Sequence, residues 1–226
     1  MFKTFEDKGL TGLSNLGNTC FINSAMQCLS HTYELNLFLE SGSYKTKLNN
    51  IPDSFLLIEW DKLRNLIWKD NCIISPGGFV CAVQKVSRIK KKILFTGNAQ
   101  NDLTEFLQFM IDSFHMALQR KVEMNIQGKI LNKKDVLAKK SYKMMKDMYE
   151  KEYSEILDIF YGIHLSNIKT TDNKEISIKP EPFFMLTLEI PNKKDSETII
   201  DCFESYTKDE LLSGDNMYLK DGKKQE

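Results

Sequence analysis

The sequence predicts an α+β protein whose helices come first and whose strands come later. Apolar residues recur at helical spacing in three stretches before residue 120. After Tyr153, β-branched and aromatic residues fall in short runs broken by turn residues and prolines. The chain has 226 residues, 42% hydrophobic and 27% charged, enough to bury a core and stay in solution. Lys plus Arg (31) balance Asp plus Glu (31), so no global field draws the protein to nucleic acid or to an anionic membrane.

The first helix is expected from Thr19 or Cys20, because Phe21, Ile22, Ala25, Met26 and Leu29 share one face and no Pro or Gly interrupts until Gly42. Before it, Gly12-Leu13-Ser14-Asn15-Leu16-Gly17-Asn18-Thr19 suits a tight loop with exposed backbone N–H groups. A second helix is predicted over Phe55 to Trp68, and Ser75-Pro76-Gly77-Gly78 breaks the pattern. From Asp102, the stripe Leu103, Phe106, Leu107, Met110, Ile111, Phe114 and Leu118 gives the clearest helix of the chain. Residues 119–152 are lysine-rich and read as an exposed helical excursion or a partly mobile insertion, without a function of their own.

Strands are expected within Ile156–Ile168, at Ile176-Ser177-Ile178 and over Phe183–Ile190, with a hairpin turning across Asp172-Asn173. A short helix over Ile199–Leu212 and a final strand at Met217-Tyr218-Leu219, with no visible partner, close the reading. The basic run Lys85, Arg88, Lys90, Lys91 and Lys92 lacks interleaved stacking aromatics and reads as a solvated face rather than a nucleic-acid site.

Cysteine usage narrows the chemistry. Five cysteines, widely spaced and without a C-x-x-C pair, fit neither a disulfide scaffold nor a thiolate zinc site. No stretch approaches the roughly 20 apolar residues of a membrane span, and the first residues lack a secretory apolar run. The expectation is a soluble protein of a reducing compartment that binds no nucleic acid, membrane or zinc and needs no cofactor.

Cys20 stands out by position. A cysteine in the first turn of a helix faces the positive end of the dipole, which favours the nucleophilic thiolate. The preceding loop offers backbone N–H groups, and the Asn15 amide can aim at the oxyanion formed when a thiolate attacks a carbonyl. The alternative is a buried, inert thiol, which is what is expected of Cys28 on the same helix.

Gly12 to Ser24 closely resembles the cysteine box of the ubiquitin-specific proteases, G-L-x-N-L-G-N-T-C-[YF]-[MLI]-N-[SA]. Gln100-Asn101-Asp102-Leu103-Thr104-Glu105-Phe106-Leu107 is similar to that family's Q-Q-D-A-x-E-F-L box, with Asn101 and Leu103 as departures. Asp158-Ile159-Phe160-Tyr161-Gly162 resembles the D-x-F-x-G entry to its fingers. Glu181-Pro182-Phe183, followed by Leu186-Thr187-Leu188, resembles its E-P-F strand.

The resemblance implies a papain-like cysteine protease fold: a helical thumb over 1–155 with the excursion 119–152, then the start of the fingers and palm sheet over 156–226. The C-terminal palm portion is expected to be missing. It implies a deubiquitinase, cytoplasmic or nuclear, whose partners are ubiquitin and ubiquitinated proteins. In that reading Cys20 is the nucleophile, Asn15 the oxyanion residue, and Gln100, Asp102 and Glu105 lie on the ubiquitin side, the two carboxylates facing the arginines of the ubiquitin tail. Asp102 with Glu105 also reads as a helix capping box, and both roles can hold.

Two family features are absent from the sequence. No glycine-flanked His-Tyr box follows, and His31, His115 and His164 do not match it; His31 lies about 16 Å beyond Cys20 if the helix continues. Where paired cysteines of a zinc ribbon would fall, the chain has Ile168–Asn173 and Tyr218–Gly222. A shortened, catalytically incomplete ubiquitin-binding or decoy module is therefore the alternative to an enzyme.

Overall fold

The computed structural model describes residues 5–191, 198–220, 223 and 224. It divides into two compact units, 1–124 with 147–160, and 125–146 with 161–226.

The first unit is built on helices. β1 (Gly12–Leu13) leads into α1 (Cys20–Ser30) and α2 (Tyr33–Glu40). α3 (Pro52–Ile67), β2 (Ile73–Ile74), α4 (Gly77–Ile89), α5 (Leu103–Leu118) and α7 (Glu155–Phe160) complete it. α3 starts with Pro52 in its first turn, where the missing N–H costs nothing, and it buries Leu56, Leu57, Trp60, Leu63 and Ile67 at helical spacing. Trp60 meets Phe79 of α4 edge-on at 5.9 Å and Phe114 of α5 at 6.4 Å, so one indole joins three helices. A second aromatic cluster joins α1 to α5, with Phe21 edge-on to Phe106 at 5.2 Å and Phe95 against Phe106 at 5.4 Å.

The expected unbroken helix after Cys20 is two helices. The backbone tightens at His31 and Thr32, whose N–H groups donate to Cys28 and Leu29, three residues back. The freed carbonyl of Ser30 is taken by the buried Asn36 amide at 2.6 Å and by the Trp68 indole N–H at 3.0 Å. α4 was not expected, since Gly77-Gly78 reads as a breaker. Pro76-Gly77-Gly78 instead forms a helix start, and Phe79, Val80, Ala82, Val83 and Val86 bury one face. The basic run serves closure of this unit: Arg88 donates to the Thr96 carbonyl at 2.8 Å, Lys90 pairs with Asp53, and Lys85 lies over the Phe55 ring at 5.1 Å.

Residues 156–160, read as the start of a strand, are the helix α7. Ile156 and Leu157 are adjacent and both buried, as the core-facing side of a helix allows, whereas a strand covered on one face would bury only one of them. Glu155 at its start accepts both Arg120 guanidinium nitrogens, at 2.9 and 2.7 Å, and Lys47 at 2.6 Å. Burial pushes this carboxyl up, but these charged donors outweigh it and hold its pKa at about 2, against an ordinary 4.5. A depressed carboxylate stabilises the fold above its unfolded pKa. The contribution, on the order of 2–3 kcal/mol, is therefore expected to be lost as pH falls from about 4.5 towards 2. Acid unfolding followed by circular dichroism checks this: Glu155→Gln should lower stability at pH 7 and flatten the pH dependence in that window.

α6 (Lys133–Tyr149) is a regular helix within the lysine-rich stretch, and Tyr149 is its one buried residue. In the second unit, β3 (Gly162–Lys169) pairs antiparallel with β4 (Glu175–Phe183), confirming the hairpin across Asp172-Asn173. Its tip, one of the two places where the family's paired cysteines would fall, is closed by hydrogen bonds. Thr170 N donates to the Lys174 carbonyl at 2.9 Å, Thr170 Oγ1 donates to Asp172, and Asn173 takes the left-handed φ of 64°.

Gly162 and Phe183 face each other across the hairpin, and a Cβ on Gly162 would come within 2.5 Å of the Phe183 ring. The glycine of one family landmark and the phenylalanine of another are thus one cross-strand pair. Residues 184–190, expected as a continuing strand, carry no regular structure. α8 (Ile199–Tyr206) is shorter than expected and starts with a capping box, Thr198 with Asp201. The final strand has a partner: β5 (Leu219–Lys220) pairs with β6 (Lys223–Lys224).

Candidate functional site

β1 runs parallel to β2, pairing Gly12 with Ile73 and Leu13 with Ile74, and delivers the loop 14–19 to the start of α1. Gly17 at φ 94° and Asn18 at φ 52° turn the chain, a conformation suited to glycine and tolerated by asparagine. Cys20 is the first residue of α1 and is solvent-exposed. The cap residue Thr19 makes no side-chain cap to the helix, which leaves the first-turn N–H groups without that partner.

The Thr19 hydroxyl is used inside the loop instead. It accepts from Leu16 N at 3.0 Å and donates to Asn15 Oδ1 at 3.1 Å. Asn15 Oδ1 also accepts Gly17 N at 3.0 Å and Thr19 N at 3.2 Å. Two backbone donors on one atom settle which way round the amide sits: the oxygen faces the loop and Nδ2 turns away from it. Asn15 itself is exposed.

Two further amides anchor this loop, and the sequence reading did not single them out. Asn23 Nδ2 donates to the carbonyls of Leu13 at 3.2 Å and Ser14 at 3.1 Å, and Gln27 Nε2 donates to Thr11 O at 2.7 Å. Their signal is a polar amide pair at i, i+4 on the side of the helix that carries Cys20.

The loop before α5 lies against the cysteine loop. Asn18 Nδ2 donates to Asn98 O at 2.9 Å, and Gln84 of α4 holds the same turn through Gly97 O and Asn98 Oδ1, both at 3.2 Å. Gln100, Asp102 and Glu105 are all exposed there. Asp102 caps α5, its Oδ1 accepting Glu105 N at 2.9 Å. The cysteine box is thus held, through Asn18, to the turn at Asn98 that leads into the second box.

Among the described residues no histidine is hydrogen-bonded to Cys20. His31 Nδ1 lies 2.8 Å from the Gln27 carbonyl, and its ring packs on Trp68. His115 Nδ1 pairs with Ser154 Oγ at 2.8 Å, and burial pushes its pKa down. His164 Nε2 lies 3.3 Å from Glu181 and stacks on Phe183. Cys28, expected to be buried, is exposed, while Ala25, Met26 and Leu29 of the same helix are buried.

No group of three or more metal-ligating side chains occurs among the described residues. A cavity of about 1050 Å³ lies in the second unit, away from the cysteine loop in sequence, lined by β3 and by residues 206–212.

Comparison with known proteins gives the following. The sequence profile of the ubiquitin carboxyl-terminal hydrolases matches residues 11–212. The human ubiquitin carboxyl-terminal hydrolase 2 is 34% identical over 214 residues, covering 92% of this chain and 34% of that protein. The Drosophila melanogaster Usp2 is 33% identical over 215 residues, covering 94% of this chain and 22% of that protein. This chain therefore spans about a third or less of the length of these curated relatives. Among solved structures, a chain of the SAGA Ubp8/Sgf11/Sus1/Sgf73 DUB module bound to ubiquitin aldehyde superposes with a TM-score of 0.63. At 22% identity it covers 98% of this chain and 43% of that one. That likeness shows the shared fold.

Proposed function

Because this chain belongs to the ubiquitin carboxyl-terminal hydrolase family, we propose that it carries the nucleophile of a cysteine-type deubiquitinase, which cleaves the isopeptide bond after the C-terminal glycine of ubiquitin. One observation carries this reading. Within residues 15–20 an exposed thiol, an uncapped helix start and an amide whose oxygen is already engaged occur together.

The Cys20 thiolate attacks the glycine carbonyl carbon, and the carbonyl oxygen takes the electron pair. Asn15 Nδ2 and first-turn N–H groups of α1 stabilise that oxygen. Collapse expels the lysine amine, which needs a proton from a positioned acid. Gln100, Asp102 and Glu105, on the adjoining loop and helix, meet the arginine-bearing tail of ubiquitin. A working thiol of this kind belongs in the cytoplasm or nucleus, where it stays reduced. The engagement of all three histidines away from Cys20 favours a second reading, a ubiquitin-binding module without turnover.

Ubiquitin whose C-terminal carboxylate is replaced by an electrophile tests the first reading. A single adduct at Cys20, suppressed by excess unmodified ubiquitin, is the expected result. No adduct, or one spread over Cys28, Cys72 and Cys81, sinks it. Asp102→Asn separates the two roles of that carboxylate, because asparagine caps a helix as well as aspartate does. Capture slowed several-fold at unchanged melting temperature supports the charge role.

A further inference from the structure

We infer that Thr19 and Asn23 are positioning residues for the oxyanion-stabilising loop, Thr19 by locking the flip of the Asn15 amide and Asn23 by tying the backbone before Asn15 to the helix that bears Cys20. The inference rests on the reading of Cys20 and Asn15 proposed above.

An asparagine amide serves an oxyanion only with Nδ2 forward; reversed, it presents a second negative dipole. Gly17 N and Thr19 N fix one end of that choice, and the Thr19 hydroxyl supplies the third donor. That hydroxyl has one proton to give. Leu16 N already donates to its oxygen at 3.0 Å, which leaves the proton directed at Asn15 Oδ1, 3.1 Å away. Thr19 is 5% exposed, so water does not compete for the bond. Its hydroxyl is thereby withdrawn from capping α1, the usual role of a threonine in this position, and the helix start stays open.

The second clamp sits one turn into α1. Asn23, three residues after Cys20, grips the carbonyls of Leu13 and Ser14, immediately before Asn15. The spacing between nucleophile and oxyanion donor is then set by a rigid helix rather than by the loop. The Asn23 Oδ1 is buried and has no partner among the described residues. The site keeps an amide there at a cost in desolvation, which the two bonds from Nδ2 offset.

The test compares two reactions of Cys20 in the 226-residue chain, with Cys20→Ala subtracting the other cysteines. Acylation by p-nitrophenyl acetate passes through an oxyanion: sulfur bonds to the carbonyl carbon, oxygen takes the electron pair, and collapse expels p-nitrophenolate to leave a thioester. Alkylation by iodoacetamide displaces iodide at a saturated carbon and forms no oxyanion. The acylation-to-alkylation ratio therefore reports oxyanion stabilisation separately from thiol reactivity. Thr19→Val, which keeps shape and loses the hydroxyl, is expected to lower the ratio about 10-fold, a part of what loss of a whole donor costs. Thr19→Ser should restore it to within about threefold.

In an Asn15→Ala background Thr19→Val should have no further effect, since its role runs through Asn15. Asn23→Leu is the independent variant, expected to lower the ratio several-fold with alkylation unchanged, and it carries the test if Thr19→Val does not fold. An unchanged ratio in both Thr19→Val and Asn23→Leu, or an equal fall in Thr19→Val and Thr19→Ser, overturns the inference while Asn15→Ala still lowers the ratio. Equal ratios in wild type and Asn15→Ala overturn the inference and the role of Asn15 in the proposed function together.

Discussion

Hydrolysis of a fluorogenic ubiquitin conjugate by the 226-residue chain is expected to run about 10²- to 10⁴-fold below that of a form joined to a glycine-flanked His-Tyr segment of a relative, the range spanned by one positioned acid–base group. Thiol capture and turnover make different demands. Capture, on the proposed reading, needs an accessible thiol and oxyanion donors, and the exposed Cys20, the uncapped helix start and the Asn15 amide all fall within residues 15–20. Turnover also needs a proton delivered to the leaving amine, and His31, His115 and His164 are held by Gln27 and Trp68, by Ser154, and by Glu181 and Phe183. Steady-state rates of the two forms, each with a Cys20→Ala control, check this. Equal rates would mean that one of the three histidines serves as the base, and single substitutions would identify it.

Asp61→Ala is expected to destabilise the helical unit by roughly 3–5 kcal/mol, the cost of leaving a buried charge without its partner. Asp61 lies on α3 beside Arg64, both almost fully buried. Its Oδ1 accepts Arg64 Nε at 3.0 Å and Nη2 at 2.8 Å, and its Oδ2 accepts the Tyr44 hydroxyl at 2.8 Å. Burial, and then the Asp61 carboxylate itself, push the tyrosine well above its ordinary range, so it remains a donor at any pH the fold survives. Removing Asp61 strands the guanidinium and the phenol together. Asp61→Ala with Arg64→Leu should recover much of the loss, because an apolar pair needs no hydrogen bonds. Urea unfolding of the single and double variants measures both. A single variant within about 1 kcal/mol of wild type would show that water reaches Arg64.

The local structure around Cys20 was legible because its pattern is local. A cysteine in the first turn of a helix, after a loop rich in glycine and asparagine, is written in consecutive residues, and the structure has α1 begin at Cys20. The helices α3 and α5 were legible for the same reason, since each carries its apolar stripe at a period the eye can count. The hairpin was announced by its turn residues, and Asn173 does take the left-handed backbone that the turn needs.

What remained hidden depends on partners distant in sequence. No local pattern separates a Pro-Gly-Gly breaker from a Pro-Gly-Gly helix start; burial of Phe79, Val80 and Val83 against other helices decides it. The run from Ile156 reads as strand, and it is the packing of Ile156 and Leu157 into the helical unit that makes its first residues the helix α7. The approach of Asn18 to Asn98 and the grip of Asn23 on Leu13 and Ser14 were not foreseen, because a hydrogen bond between an amide and a backbone carbonyl leaves no residue type at the accepting end. Sequence pattern specifies what each segment does alone, whereas the flip of Asn15 and the seating of the cysteine loop follow from which donors and carbonyls packing brings within 3 Å or so.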